Sequence, residues 1–131
     1  MPSLKSFDEL EIWQLARAQS NKVWLLSLKR PFSEDLSLKS QINRSAGSVM
    51  DNIAEGFGRG GNREFLNFLS YSRGSNVEFQ SQLIRAMDRN HILQDQHDLL
   101  REESDILGKK ISALMNYLGK SDARGPKFKK D

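Results

Sequence analysis

The stretch of chain that decides the fold reads LKSQINRSAGSVMDNIAEGF and covers residues 38–57. Its apolar residues recur at steps of three and four, which places them on one face of an α-helix. That face comprises Leu38, Ile42, Ala46, Val49, Ile53 and Phe57. The opposite, polar face comprises Ser37, Gln41, Arg44, Ser48, Asp51 and Glu55. The stretch therefore predicts an amphipathic helix that buries one face against the rest of the chain.

The same apolar spacing recurs in three further segments, at about residues 7–29, 62–89 and 94–118. The segments are separated by breaks at Pro31, at the glycine-rich residues 56–62 and at the polar residues 88–91. Because short connections place neighbouring helices antiparallel, the sequence predicts an all-α, up-down-up-down four-helix bundle. We expect glycine to close the second helix and Asn62 to cap the third.

The excess charge of the chain lies at its C-terminal end. The 131 residues carry a net charge of +3, yet residues 1–119 hold fifteen basic and fifteen acidic side chains. The last twelve residues hold five basic and two acidic side chains. We therefore predict a neutral bundle domain at residues 1–119 and a basic, disordered tail at residues 120–131.

Composition excludes several classes of protein. The chain has no cysteine, which excludes disulfides, thiolate metal sites and cysteine nucleophiles. The longest apolar run is the four residues from Val23 to Leu26, whereas a membrane-spanning helix needs about 18 or more. The first residues also lack the apolar region of a secretory signal. We expect a cytoplasmic protein with no membrane partner.

Three of the predicted helices carry more apolar residues than one buried face requires. The additional stripes on the third and fourth helices comprise Leu66, Val77, Ile84, Leu99, Ile106, Ala113 and Tyr117. Two explanations are open: a wide core with some exposed leucines, or contacts between subunits. Because a long exposed apolar stripe promotes association, we predict that these residues form the interface of a homo-oligomer.

No candidate catalytic, metal or cofactor motif in the sequence meets the structural requirements of such a site. Residues 56–61, GFGRGG, match the dinucleotide fingerprint G-x-G-x-x-G, but that site needs a strand before the glycine turn and here a helix precedes it. His91 and His97 lack the Glu-x-x-His spacing of a di-iron bundle and the H-E-x-x-H spacing of a zinc site. We expect both histidines to be exposed, in a turn or at a helix start. The sequence therefore predicts a protein that is not an enzyme.

Arginine gives the one indication of a binding function. Arginine suits phosphate because its planar guanidinium donates two parallel hydrogen bonds. The residues predicted to bind nucleic acid are Arg44, Arg59, Arg63 and Arg73 with Lys127, Lys129 and Lys130 of the tail. Arg59 and Arg63 flank the start of the third helix, where free backbone amides could help to hold a phosphate. Pairing of the arginines with acidic residues of the neutral body is the open alternative.

Several motifs resemble those of one protein family. They are FDELEIWQLA at residues 7–16, QINRSA at 41–46, SVMDNIAEGFGR at 48–59, EFL at 64–66, FL at 68–69 and RGS at 73–75 with Glu78. In this order they are similar to the four-helix-bundle proteins encoded in intervening sequences of bacterial large-subunit ribosomal RNA. The chain departs from the family pattern at Met50, where proline is common, so we expect a less kinked second helix.

The resemblance implies a homopentameric ring without an established activity. Related bundles are accessory proteins of retroelements, in which a basic barrel is thought to engage a reverse transcriptase and nucleic acid. The hypothesis from sequence is thus a non-enzymatic, oligomeric bundle that binds structured RNA or DNA through its arginines and tails. The alternative is a protein-binding adaptor or scaffold without direct nucleic-acid binding.

Overall fold

Residues 4–124 are described by a computed structural model, and this part of the chain is built from four α-helices and no strand. The helices are α1 (Glu11–Ser27), α2 (Leu36–Gly58), α3 (Asn62–Asp88) and α4 (Gln94–Arg124). Two 3-10 turns, Phe7–Glu9 and Phe32–Glu34, precede α1 and α2. The predicted all-α class and the four predicted helices are confirmed.

Helix α4 is longer than the sequence indicated. It runs to Arg124, so the first five residues of the predicted tail are helical. The remainder of that tail, with Lys127, Lys129 and Lys130, lies outside the described residues. Helix α2 runs through Met50 without a break.

The core lies between helices that are neighbours along the chain, and α1 also contacts α4. The predicted apolar face of α2 is buried from Leu38 to Ile53, and Phe57 at its end is half-buried. Buried apolar residues form two clusters. One includes Ile12, Ile53 and Ile111, and the other includes Phe32 and Phe79. Since burial of such side chains stabilises a fold by about 1.5–3 kcal/mol each, both clusters contribute to holding the helices together.

The turn between α2 and α3 follows the predicted glycine signal but shifts the predicted cap by one residue. Gly60 adopts φ +85, a left-handed conformation that glycine tolerates at a helix C-terminus. Gly61, in extended conformation, is the N-cap of α3, and Asn62 is already the first helical residue. The expectation that Asn62 caps the helix is therefore wrong. The Glu64 side chain folds back against Gly61, and a Cβ at position 61 would collide with it.

Replacing Gly56 with alanine is expected to destabilise the protein by about 1–3 kcal/mol, because there is no room for the added methyl group. A Cβ at position 56 would lie 2.7 Å from Phe68 Cβ and 3.0 Å from Phe65 Cδ1 of α3. The control is Gly47→Ala in the same helix, where a Cβ meets no described atom within 4 Å. We expect that change to stabilise by up to about 1 kcal/mol, since alanine favours a helix. Urea unfolding measures both; equal effects would contradict the close approach of α2 and α3.

Candidate functional site

The predicted stripe on α3 faces away from the core, on the side of α3 that borders α4. Val77 is 60% exposed, Ile84 is also exposed, and Leu66 is partly buried against the first core cluster. Arg73 belongs to the same stripe and donates a hydrogen bond from Nη1 to Ser112 Oγ of α4 at 3.3 Å. This contact shows that the stripe lies on the side of α3 nearest to α4. We call Leu66, Arg73, Val77 and Ile84 the α3 stripe.

The predicted stripe on α4 lies on the other side of that helix, next to α1. Leu99, Ala113 and Tyr117 are exposed, and Ile106 is 43% exposed. Ile106 shares a groove with Leu15, Ala18 and Lys22 of α1, and Ala113 shares one with Leu10, Glu11 and Ile12. These four α4 residues, which we call the α4 stripe, are thus separated from the α3 stripe by α4 itself.

Two ion pairs cross the junction of α1 and α4 beside the α4 stripe. Lys22 Nζ lies 2.7 Å from Glu103 Oε2, and Lys110 Nζ lies 3.2 Å from Glu11 Oε1. All four side chains are substantially exposed, so each pair is worth at most about 1 kcal/mol. The pairs matter more for recognition than for stability. A partner that covers the α4 stripe would contact apolar side chains together with two lysines and two glutamates.

Arg44, Arg59 and Arg73, which are predicted to bind nucleic acid, contact other residues of the bundle. Arg59 pairs with Glu55, at 3.0 Å between Nη2 and Oε2, and its guanidinium lies 5.0 Å from the ring centroid of Phe68. Arg44 donates to Ser40 Oγ at 3.0 Å, and Arg73 contacts Ser112 as described above. These side chains are exposed and lie on separate parts of α2 and α3. The structure therefore does not bring the predicted arginines together in one patch.

The start of α3 already has a carboxylate beside it. Glu64, the third residue of the helix, lies against Gly61 at the helix N-terminus. A carboxylate at this position interacts favourably with the helix dipole and would repel a phosphate. Arg63 is exposed in the same turn and borders a shallow groove with Leu66, Asn67 and Ser70. The Glu64 carboxylate thus occupies the place beside the helix start that a bound phosphate would need.

Sequence reasoning missed a polar cluster that joins the two loops at the opposite end of the bundle. Asp35 caps α2 by accepting a hydrogen bond from the Leu38 backbone N–H at 3.2 Å. Its Oδ2 also accepts hydrogen bonds from Arg89 Nη1 and from His91 Nε2, each at 2.8 Å. The His91 ring stacks on Phe32 at 5.2 Å between centroids. The Asp35 cluster thus connects the α1–α2 loop to the α3–α4 loop.

The expectation that both histidines are exposed is wrong. The side chain of His91 is 10% exposed, and His97 is buried beside Asp98. Turn composition indicated exposure, but Phe32 covers His91 and Asp35 provides its hydrogen-bond partner from 56 residues away. The one local signal available was Asp35 itself, an aspartate placed directly before a helix.

Replacing Asp35 with asparagine is expected to cost about 2 kcal/mol of stability at neutral pH and little near pH 2. Hydrogen bonds from His91 and then Arg89 lower the pKa of Asp35 from 3.8 to about 2. The ionised carboxylate therefore stabilises the fold above pH 3.8, and this contribution is lost as the pH falls from 3.8 to 2. Urea unfolding of both proteins across this range measures the difference. A difference that does not change with pH would contradict the charged cluster.

Two further properties of the described residues concern metal binding and membrane insertion. Among residues 4–124, no group of three or more histidine, cysteine, aspartate or glutamate side chains is placed to hold a metal ion. Over the same residues, no helix has the length and apolar character required to cross a membrane.

Comparisons with known proteins agree with the motifs and the fold. A family model described as 23S rRNA-intervening sequence protein matches residues 8–113. A crystal structure of a protein with unknown function from the S23 ribosomal protein family of Bacteroides thetaiotaomicron has a similar fold. Its TM-score is 0.72 at 16% sequence identity, over 79% of this chain and 97% of that chain. Comparison with the curated proteins gave no significant match. Since the family model matches most of its residues, the chain belongs to the 23S rRNA-intervening sequence protein family.

Proposed function

We propose that this protein is a non-enzymatic, cytoplasmic subunit of a homopentameric ring that serves as a binding platform. The observation that carries the proposal is the pair of exposed apolar stripes on two different sides of the bundle. Apolar side chains that stay exposed do not stabilise a monomer, and large exposed apolar patches mark sites of association. Repetition around a ring would also turn a weak binding surface into a multivalent one.

The proposed subunit is an up-down-up-down bundle. Support comes from the order of hydrogen bonds between α2 and α3. Ser72 of α3 is hydrogen-bonded to Val49 of α2. Gln82, later in α3, is hydrogen-bonded to Ser45, earlier in α2, so the two helices run in opposite directions. The two ion pairs between α1 and α4 show the same reversed order.

The positions of the stripes favour a ring over a two-fold dimer. A two-fold contact uses the same patch on both subunits, whereas two different patches that fit each other give head-to-tail contacts. The α3 stripe and the α4 stripe lie on neighbouring sides of the bundle, and neighbouring sides of an ideal four-helix bundle face directions about 90° apart. Head-to-tail contacts at about 90–110° close after four or five subunits. We therefore propose that the α3 stripe of each subunit covers the α4 stripe of the next.

The mass of the full chain in solution tests this proposal directly. Multi-angle light scattering at micromolar concentration is expected to report about five times the 15.0 kDa of one chain. A particle of 15.0 kDa would overturn the proposal.

Nucleic-acid binding is a second candidate, supported by where the chain leaves the bundle. Tyr117 and Ser121 of α4 line a cavity of about 520 Å³ together with Gly60 and Gly61 of the α2–α3 turn. The tail therefore begins at the end of the bundle that also carries the exposed Arg59 and Arg63. In a ring, five such ends would combine their basic groups on one rim.

Salt dependence distinguishes this candidate from a scaffold that binds only protein. Binding of a structured RNA or a DNA duplex should weaken steeply as salt rises, because phosphate contacts release counterions. Truncation after Arg124 should then remove most of the binding, while the ring remains intact. An oligomer that binds neither nucleic acid at low salt would exclude the candidate.

A further inference from the structure

A third exposed apolar surface lies where α1 borders α2. Trp24 is 47% exposed, Leu28 is exposed one turn later, and Leu36 at the start of α2 is 73% exposed. The Nζ atom of Lys39 lies 5.3 Å from the Trp24 ring centroid, so this part of α1 lies against the first turn of α2. Leu36 is one turn before Lys39 on α2, so the exposed apolar residues lie near the same contact between α1 and α2. We call Trp24, Leu28, Leu36 and Lys39 the Trp24 patch.

The surroundings of the Trp24 patch are basic. Lys29 and Arg30 follow Leu28 directly, and Lys39 covers part of the indole ring. The nearby acidic residues are Glu34, which pairs with Arg30 at 3.0 Å, and Asp35, which pairs with Arg89 at 2.8 Å. Two turns back along α1, on the face that also carries Trp24, Arg17 lies 5.7 Å from the ring centroid of Trp13 and adds a further positive charge. A neutral bundle thus carries a local positive excess around an exposed tryptophan.

The proposed ring does not cover this patch. Its contacts use the side of the bundle between α3 and α4 and the side between α4 and α1, whereas the Trp24 patch lies between α1 and α2. The patch would therefore be open on each subunit of the ring and available to a partner of another kind.

We propose that the Trp24 patch binds an amphipathic helix of a partner protein whose apolar face is flanked by acidic residues. Apolar anchors of the partner would cover Trp24, Leu28 and Leu36, and its carboxylates would pair with Lys29 and Lys39. Binding of an amphipathic helix in a groove between two helices is a common mode of recognition. An anionic membrane is less suited, because lipid-binding surfaces collect about four to eight basic residues and the groove runs along the side of the bundle.

Two synthetic peptides test the proposal on the full-length protein. Both are fluorescein-labelled amphipathic helices with leucine on the apolar face, and they differ in having glutamate or lysine at the flanking positions. Fluorescence anisotropy is expected to show tighter binding of the glutamate peptide. Trp24→Ala should weaken that binding by at least about tenfold, as for an aromatic anchor, and Lys39→Glu should shift the preference toward the lysine peptide. Tyr71→Ala removes an exposed aromatic side chain of α3, outside the patch, and should leave binding unchanged.

Three outcomes would overturn the proposal. The first is equal affinity for the two peptides, or an equal loss of affinity for the glutamate peptide in the Trp24→Ala and Tyr71→Ala variants. The second is binding of phosphatidylserine vesicles through Trp24 in place of the glutamate peptide. The third is dissociation of the oligomer by Trp24→Ala, which would make the patch a contact between subunits. Light scattering on the same samples separates this test from the ring, since a particle of 15.0 kDa that binds the glutamate peptide refutes only the ring.

Discussion

Substitution of Val77 by glutamate is expected to convert the ring into folded monomers of 15.0 kDa. Val77 is 60% exposed in the single chain, so a carboxylate there remains hydrated and the bundle still folds. Against the α4 stripe of a neighbouring subunit the same carboxylate would be buried without a partner, at a cost of several kcal/mol. Light scattering measures the mass, and circular dichroism confirms the helical fold. Tyr71→Glu, an exposed site away from both stripes, is the control and should keep the mass of the wild type.

Mixing two variants tests the head-to-tail arrangement. Ile106→Glu damages the α4 stripe and, like Val77→Glu, should be monomeric on its own. Each variant keeps the stripe that the other has lost, so an equimolar mixture should form one intact contact and a dimer of twice 15.0 kDa. If each stripe instead contacted its own copy, the single variants would remain dimeric before mixing. A Val77→Glu protein with the mass of the wild type would contradict both the head-to-tail contact and a contact of the α3 stripe with its own copy.

Periodicity alone was sufficient to predict the helices and their buried faces. Leu38, Ile42 and Ile53 are buried as their spacing indicated, and the helix starts and ends fall close to the predicted breaks. The success has a physical reason: an amphipathic helix of this length can satisfy its backbone internally and bury only one face. The end of α4 was misplaced because the basic charge of residues 120–131 was assigned to a tail that begins at residue 120. Lys120, however, also suits the C-terminal turns of a helix.

Contacts between residues far apart in the chain could not be predicted in this way. The Asp35 cluster depends on two loops meeting at one end of the bundle, and no local pattern contains that information. The Trp24 patch was likewise hidden, since spacing places Trp24 and Leu28 on a second apolar face of α1 without showing what covers them. Exposure of Leu36, directly after the loop, turns that face into a groove with α2.

The division of the core into two apolar clusters was also beyond the sequence patterns. Between the clusters, side chains of three helices form a buried polar layer centred on Asn76. Asn76 Oδ1 accepts hydrogen bonds from Gln19 Nε2 at 3.0 Å and from Ser104 Oγ at 2.9 Å, and its Nδ2 donates to the Ser104 carbonyl at 2.9 Å. Its spacing from Leu69 and Leu83 puts Asn76 on the core face of α3, but its partners lie 57 and 28 residues away. The layer fixes the relative heights of α1, α3 and α4, because sliding any helix would leave these groups unpaired.

Replacing Asn76 with leucine is accordingly expected to destabilise the monomer by about 2–5 kcal/mol. This loss exceeds that of a single hydrogen bond, because several buried groups lose their partner at once. The leucine leaves Gln19 Nε2 and Ser104 Oγ buried without their acceptor, and each unpaired group costs about 1–3 kcal/mol. Urea unfolding in the Val77→Glu background excludes any contribution from assembly. The double variant Gln19→Leu, Asn76→Leu should recover part of the lost stability, because both members of that pair become apolar.

Gln80→Ala, which removes a half-buried contact to Ser104 Oγ, is the control. An Asn76→Leu protein no less stable than Gln80→Ala would show that the polar layer is dispensable and that the apolar clusters alone set the register of the bundle.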